Sequence, residues 1–184
     1  AATIITLTGT IADINSIYAG NIAGTISGLG NEAVTIADTT ISASLLNTLD
    51  ANTTGVVNAG TVNTLTGSTS ALNTAYASSG ITGLGDEAVT ISDTTIGAAV
   101  LITLDAFTSG LINASSITTL TGSDADKATV RASSGITGLP GGGGGGNGEY
   151  IVTATTISAS DLISLDSEYE TVIASAVTTV SYTH

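Results

Sequence analysis

The sequence predicts an α/β protein, an open solenoid of about 27–28-residue coils that each add one strand and one helix to one parallel sheet. Three observations predict it: a 55-residue internal repeat, a division of each repeat into two strand–helix halves, and a core of short aliphatic side chains. Of 184 residues, 42% are hydrophobic, yet the chain has one Phe and no Trp or Met. A narrow core of this kind is more typical of stacked repeats than of a globular enzyme.

The repeat extends along most of the chain. The segment from Gly28 to Ile41 returns with two substitutions from Gly83 to Ile96, a shift of 55 residues. Self-similarity at a long, fixed period is the signature of an array of stacked units. The array at 1–184 divides into a partial repeat at 1–27, full repeats at 28–82 and 83–137, and a partial repeat at 138–184 with a Gly-rich insertion at 140–148.

Each repeat divides into two halves with the order strand, turn and helix. Runs of β-branched residues between Gly and Asp predict seven strands, near Ile4, Val34, Val62, Val89, Ile117, Ile151 and Val177. Helices are expected at about 43–51 and 69–77, with Ser42 and Ser68 as N-caps. The first of them has its apolar residues on one face, at Ile41, Leu45, Leu46 and Leu49. Strands joined through a helix pair in parallel, so one continuous sheet is expected.

The charge and composition exclude several partners. With 15 acidic and 2 basic residues the net charge is −13, and binding to nucleic acid would need clustered Lys and Arg. No run of about 18 apolar residues is present, so we expect no membrane insertion. The chain has no cysteine, which excludes disulfides and zinc–thiolate sites. The expected partner is the chain itself, as a head-to-tail homo-oligomer or as a continuation of the same repeat array.

Three motifs of the repeat resemble those of a known family. They are the segment from Gly83 to Ile96, Leu-Asp-Ala-Asn-Thr-Thr-Gly-Val-Val-Asn-Ala at 49–59, and Asn-Thr-Ala-Tyr-Ala-Ser at 73–78. These motifs resemble tandem repeats of very large cyanobacterial cell-surface or adhesin-like proteins, and residues 27–139 carry most of the likeness. The resemblance implies secretion, a long array and a role at the cell surface, and it implies no catalytic residues.

Acidic residues recur after the predicted strands, at Asp38 and Asp93. One interpretation is a pair of calcium sites, because calcium prefers carboxylate and carbonyl oxygens at turns. The other is that these carboxylates form Asx-turns or lie favourably near a helix N-terminus. Neither an EF-hand loop nor a calcium-binding nonapeptide repeat accompanies them.

Lys127 and Arg131 are the only basic residues, and by alignment they replace Leu72 and Tyr76. Four residues apart on a helix, they share one face. They either mark a helix that is more exposed than its equivalents or form a docking spot for an acidic neighbour, such as another subunit.

Both ends of the chain are β-prone and almost uncharged, at 2–7 and at 176–182. Open strands at two ends favour end-to-end pairing through main-chain hydrogen bonds, which generates filaments. The residues expected to make this contact are Ile4, Ile5, Leu7, Val177, Val180 and Tyr182.

The single histidine is His184, so no Ser–His–Asp set, Cys–His set or histidine cluster is available. We expect no enzyme and no cofactor other than calcium. The leading function is a structural repeat of an extracellular surface layer, an adhesin stalk or a self-assembling filament. The alternative is a calcium-dependent or glycan-binding adhesive module.

Overall fold

The computed structural model describes residues 4–139, 149–151, 155–160, 162–163 and 171–181. Its helices are α1 (Ile11–Ile22), α2 (Ala43–Asn52), α3 (Thr69–Ala77), α4 (Ala98–Asp105) and α5 (Asp124–Ala132). Its first strands are β1 (Thr6–Gly9), β2 (Ala33–Ile36), β3 (Thr40–Ser42), β4 (Val57–Asn58), β5 (Thr64–Gly67), β6 (Ile81–Thr82), β7 (Ala88–Ile91) and β8 (Thr95–Gly97). The remaining strands are β9 (Ile112–Asn113), β10 (Thr119–Thr121), β11 (Ile136–Thr137), β12 (Glu149–Ile151), β13 (Thr156–Ser158), β14 (Thr171–Ile173) and β15 (Thr179–Ser181).

All described strand pairs are parallel, and they form several sheets. The longest sheet has the order β11-β9-β7-β5-β3, and a second sheet has the order β1-β2-β4-β6. The pairs β10-β8, β12-β14 and β13-β15 complete the set. The fold is therefore α/β with parallel strands, as the sequence predicts, and the sheets are open.

The prediction of one continuous sheet is wrong. Val34 lies in β2 and Val89 in β7, which belong to different sheets. Val62 and Ile117 lie in the tight turns before β5 and β10, where their amides donate to the carbonyls of Ala59 and Ala114. The short segment after Asp38 explains the error. It forms the extra strand β3 rather than a turn into the helix, because its backbone pairs with β5.

The spacing of paired residues also differs from the predicted 27–28. Ile41 pairs with Leu65, and Leu65 pairs with Val89, so neighbouring strands are 24 residues apart along the chain. One 55-residue repeat contains two helices and five strands, β2 to β6. Three strands, β6, β7 and β8, therefore follow one another between α3 and α4 without a helix. As a result, the equivalent strands β2 and β7 of the two repeats belong to different sheets.

The helices begin where the sequence predicts. Ser42 and Ser68 are the N-cap residues of α2 and α3, and the Ser68 side chain accepts a hydrogen bond from the amide of Ala71. Ser42 instead shares a hydrogen bond with the hydroxyl of Ser44. Leu45 was expected on the buried face, but it is exposed. Because Ile41 lies in β3 and not in the helix, the buried face of α2 is defined by Ala43, Leu46 and Leu49.

The core consists of aliphatic residues at equivalent positions of successive strand–helix units. The equal positions of the two full repeats predict that their helix leucines are buried, and all four are, at Leu46, Leu49, Leu101 and Leu104. Successive helices pack against one another in chain order from α1 to α5. None of the helices in the described ranges is long and apolar enough to cross a membrane.

Candidate assembly edges and the links between coils

Asp38 and Asp93 bind helix N-termini. A carboxylate oxygen of Asp38 accepts a hydrogen bond of 2.7 Å from the amide of Ile11, the first residue of α1. Asp93 accepts one of 2.6 Å from Thr69, the first residue of α3. The N-terminus of a helix carries unpaired N–H groups and partial positive charge, so a carboxylate there is favourable. The geometry matches the helix interpretation, although each helix precedes its aspartate in the chain.

Calcium at Asp38 and Asp93 stays a prediction. Each carboxylate has one oxygen engaged by a backbone amide. Within the part of the chain that the structure describes, no three His, Cys, Asp or Glu residues are grouped as a metal ion would need.

A second pair of aspartates links coils at the other end of the helices. Ser78 donates to Asp50 at 2.7 Å, and Ser133 donates to Asp105 at 2.8 Å. The partners are 28 residues apart in both cases. The same polar link therefore recurs at the 55-residue period and joins one coil to the next.

The sequence did not identify a buried carboxylate, Glu87, which is only 2% exposed. Its oxygens accept hydrogen bonds from the amide of Gly85 at 2.8 Å and from the hydroxyl of Tyr76. The Tyr76 ring stacks on Phe107, with 5.4 Å between ring centroids and 4° between planes. Burial, and then the Glu87 carboxylate, raise the pKa of Tyr76. We call Tyr76 and Glu87 the second Tyr–Glu unit.

The first Tyr–Glu unit is the equivalent pair Tyr18 and Glu32, which are both 1% exposed. Glu32 accepts from the amides of Gly30 and Asn31, both at 2.8 Å. Burial by itself would raise the pKa of Glu32, but these backbone donors outweigh it and lower the pKa. Burial raises the pKa of Tyr18. The Tyr18 hydroxyl is buried and makes no hydrogen bond of normal geometry.

Both units are joined to the next coil in the same way. Thr108 donates to the backbone carbonyl of Glu87, and Thr53 donates to that of Glu32, each at 2.8 Å. A usable sequence signal was the glutamate two residues after Gly-Leu-Gly and directly before the strand Ala-Val-Thr-Ile. Side chains of a strand alternate between two faces, so this glutamate shares the buried face of Val34 or Val89 and needs internal partners.

The predicted assembly residues at the N-terminal end are uncovered. β1 begins at Thr6, so Ile4 and Ile5 precede the strand, and they are 46% and 76% exposed. Leu7 lies within β1 and is half-buried. β1 is an edge strand of its sheet.

At the other end, β15 pairs only with β13 in the described residues. Val180 lies in β15 and is 46% exposed, whereas Val177 lies in a turn before that strand and is half-buried. Tyr182 and the Gly-rich insertion at 140–148 fall outside the described residues.

Lys127 and Arg131 both lie on α5 and are half-buried. Each is engaged by other groups of the chain. Leu72, the equivalent of Lys127, is fully buried in α3, so a polar residue of α5 has the place of a core leucine. A docking role for these two residues stays a prediction.

The aspartates described above make contacts between successive strand–helix units, and three uncovered apolar residues, Ile4, Ile5 and Val180, lie at or beside strands β1 and β15. No known protein family, curated protein or solved structure matches the chain.

Proposed function

We propose that this chain is a structural repeat protein, a segment of an open solenoid that serves an extracellular surface layer, an adhesin stalk or a self-assembling filament. The recurring use of aspartate carboxylates as links between successive units carries the proposal. Four aspartates accept hydrogen bonds from groups 24 to 28 residues away, namely Asp38, Asp50, Asp93 and Asp105. Glu32 and Glu87 accept from backbone amides of their own turns.

These links explain how an acidic chain can be structural. A carboxylate that accepts from backbone N–H groups is charge-assisted and is stronger than a neutral hydrogen bond. In a repeat array each unit contacts its neighbours, so stability is the sum of unit and interface terms. The order of helix contacts, from α1 to α5 in sequence, supports stacking along one direction.

The direct test is electron microscopy together with sedimentation of the purified chain at micromolar concentration. We expect elongated particles that join end to end into filaments or layers. Ile5→Lys combined with Val180→Lys places charges at the two uncovered edges and should prevent this association. Leu45→Lys is the matched control, since Leu45 is equally apolar and 43% exposed but lies on α2.

The outcomes separate the alternatives. A chain that remains a compact monomer at every concentration contradicts the proposal. Loss of assembly in Leu45→Lys, with the edge variant still assembling, would show association through the helices rather than through the strand edges.

A further inference from the structure

The strands of the five-stranded sheet follow a fixed order of sequence types. β3 is Thr-Ile-Ser, β5 is Thr-Leu-Thr-Gly, β7 is Ala-Val-Thr-Ile, β9 is Ile-Asn and β11 is Ile-Thr. In the four-stranded sheet, β1, β2, β4 and β6 repeat the last four types in the same order. Among the described residues, no strand lies on the free side of β1, where the five-stranded sheet has its Thr-Ile-Ser strand.

That strand type has the same partner each time it occurs. We call β3, β8 and β13 the Thr-Ile strands. Each pairs in parallel with a strand that resembles β1, namely β5, β10 or β15. In β3 and β5, Thr40 is opposite Thr64 and Ile41 is opposite Leu65. The other two pairs keep this register.

The main-chain contact is also the same in all three pairs. The carbonyl of Thr39, just before β3, accepts hydrogen bonds from the amides of Asn63 and Thr64 at 2.8 and 3.0 Å. The carbonyls of Thr94 and Thr155 each accept two amides in the same way. By equivalence, the amides of Ile5 and Thr6 are the donors that β1 offers to such a carbonyl.

The side chains of β1 show what a Thr-Ile strand covers. Leu65 pairs with Ile41 on one side and Val89 on the other and is fully buried, whereas its equivalent Leu7 is only half-buried. Ile4 is 46% exposed, although its equivalent Val62 is 3% exposed. The strand that lacks a Thr-Ile neighbour is therefore the one whose apolar residues are more exposed.

Gly9 marks a place at this edge where a side chain of an added strand can pack. A Cβ at its equivalent Gly67 would contact Ala43, the residue after β3. A Cβ at Gly9 would contact only Ile14, at 3.8 Å, among the described residues. An incoming strand can therefore place a small residue above Gly9.

We infer that the open edge of β1 is a binding site for an extended strand of sequence Thr-Thr-Ile-Ser-Ala or Thr-Thr-Ile-Gly-Ala, donated by a repeat unit of the same kind whose Thr-Ile strand is unpaired, since β3, β8 and β13 are already paired within this chain. The strand binds in parallel, with its Ile opposite Leu7 and its Ala above Gly9. The inference rests on the proposed function and adds the partner sequence. It differs from simple pairing of the first and last strands, because the partner of β1 is a Thr-Ile strand and not a strand such as β15.

The test uses the full 184-residue chain and a capped peptide with the sequence of residues 37–44, Ala-Asp-Thr-Thr-Ile-Ser-Ala-Ser. We expect the peptide to shift the NMR amide resonances of Ile5 and Thr6 and to bind with a measurable affinity. A peptide with Asp in place of Ile41 should bind about tenfold more weakly or not at all, because it cannot cover Leu7.

Gly9→Val is the site variant, because a Cβ at Gly9 would contact only Ile14, at 3.8 Å, among the described residues, and the added side chain would compete with the incoming Ala. It should lower peptide affinity by about tenfold. Ala33→Val is the control, since it adds the same side chain at an exposed position of β2, away from the open edge. Melting curves of both variants check that they are folded.

Equal binding of the two peptides, or binding that Gly9→Val leaves unchanged in a folded chain, overturns the inference. So does the lack of any shift at Ile5 and Thr6. Sedimentation of the same samples separates this failure from that of the proposed function. Assembly that continues while the peptide does not bind preserves the structural role and removes the site. Peptide binding to a chain that never assembles preserves the site and removes self-assembly.

Discussion

The two Tyr–Glu units are built from nearly the same sequence but are completed differently. In the second unit, the Tyr76 hydroxyl donates to Glu87 and the ring stacks on Phe107. In the first unit, the Tyr18 hydroxyl interacts with Glu32 electrostatically but makes no hydrogen bond of normal geometry, and Asn52 has the position of Phe107. The glutamates have the same backbone donors in both, so the local Gly-Leu-Gly turn determines the carboxylate's position, and the tyrosine's role depends on more distant residues.

The chain between helix and turn accounts for part of the difference. Tyr76 precedes Glu87 by 11 residues, whereas Tyr18 precedes Glu32 by 14. The three additional residues accompany a longer helix, since α1 has 12 residues and α3 has 9. The same side chains therefore reach the turn by a different path.

Gly110→Ala and Gly55→Ala test the part that the two units share, and they should have the largest effects. A Cβ at Gly110 would overlap the backbone carbonyl of Glu87, and one at Gly55 would overlap that of Glu32. Since backbone must move, we expect each variant to lose about 3 kcal/mol of unfolding free energy, measured by denaturant titration.

Gly97→Ser is the control for these glycines. Its Cβ would have ordinary contacts at 3.8 Å, and the equivalent residue of the first repeat is Ser42. We expect a change of less than about 0.5 kcal/mol. Unchanged stability in both Gly55→Ala and Gly110→Ala would mean that the coils do not approach each other this closely.

Replacement of each glutamate by glutamine should lower the free energy of unfolding by different amounts in the two units. Glu87→Gln weakens hydrogen bonds from Gly85 and Tyr76, and hydrogen bonds to a charged group are worth about 1.5–3 kcal/mol. We expect a loss of about 2–3 kcal/mol for Glu87→Gln and about 1 kcal/mol less for Glu32→Gln, because the Tyr18 hydroxyl makes no hydrogen bond of normal geometry with Glu32. Equal losses would show that the tyrosine hydroxyls are equivalent in solution.

The pH dependence of Glu32→Gln provides a control with a definite sign. The pKa of Glu32 is lowered in the folded chain, so its carboxylate stabilises the fold above the unfolded pKa of about 4.3. That contribution is lost as pH falls through the lower, folded pKa. The stability difference between the parent and Glu32→Gln should therefore be full at pH 7 and shrink in acid. A difference that does not vary with pH would contradict the lowered pKa.

The contrast between the units also shows what a sequence can and cannot predict. Helix positions and N-caps such as Ser68 follow from local spacing, because capping and amphipathic burial involve residues close in the chain. The strand β3 could not be predicted, since its three residues resemble a turn until β5 pairs with them. The single-sheet prediction failed for that reason.

The candidate sites likewise include features that the local sequence suggests and features that only the fold determines. Asp38 could be assigned to a helix N-terminus from its type, but the helix it binds lies 27 residues away and only the fold identifies it. Glu87 was overlooked because a glutamate beside an Asp or Asn in a Gly-rich turn resembles a solvated loop. Its burial depends on Tyr76 and Thr108, which no local pattern places there.

The tyrosine hydroxyls should give effects of opposite sign. Tyr76→Phe removes a donor to the buried Glu87, so we expect a loss of about 1–2 kcal/mol. Tyr18→Phe removes a buried hydroxyl without a hydrogen bond, so we expect no loss or a gain of about 1 kcal/mol. Thermal or denaturant unfolding of the two variants side by side is the measurement. Losses of the same size in both would show that Tyr18 has a partner in solution, such as a buried water.

Phe107→Asn should destabilise the fold less than the glycine, glutamate and Tyr76 variants, and it converts the second unit toward the first. The substitution installs the residue found at the equivalent Asn52 and removes the parallel stacking on Tyr76. Such an aromatic pair is worth about 0.5–1.5 kcal/mol beyond the area it buries, and Phe107 is partly exposed, so the expected loss is about 1 kcal/mol.

Combining Phe107→Asn with Tyr76→Phe tests whether the stack positions the hydroxyl. If it does, the hydroxyl contributes less once the stack is gone, and the double variant loses less than the sum of the single losses. Strictly additive losses would mean that the Tyr76–Glu87 bond forms without help from Phe107, and then the longer connection after α1 accounts for the unpaired hydroxyl of Tyr18.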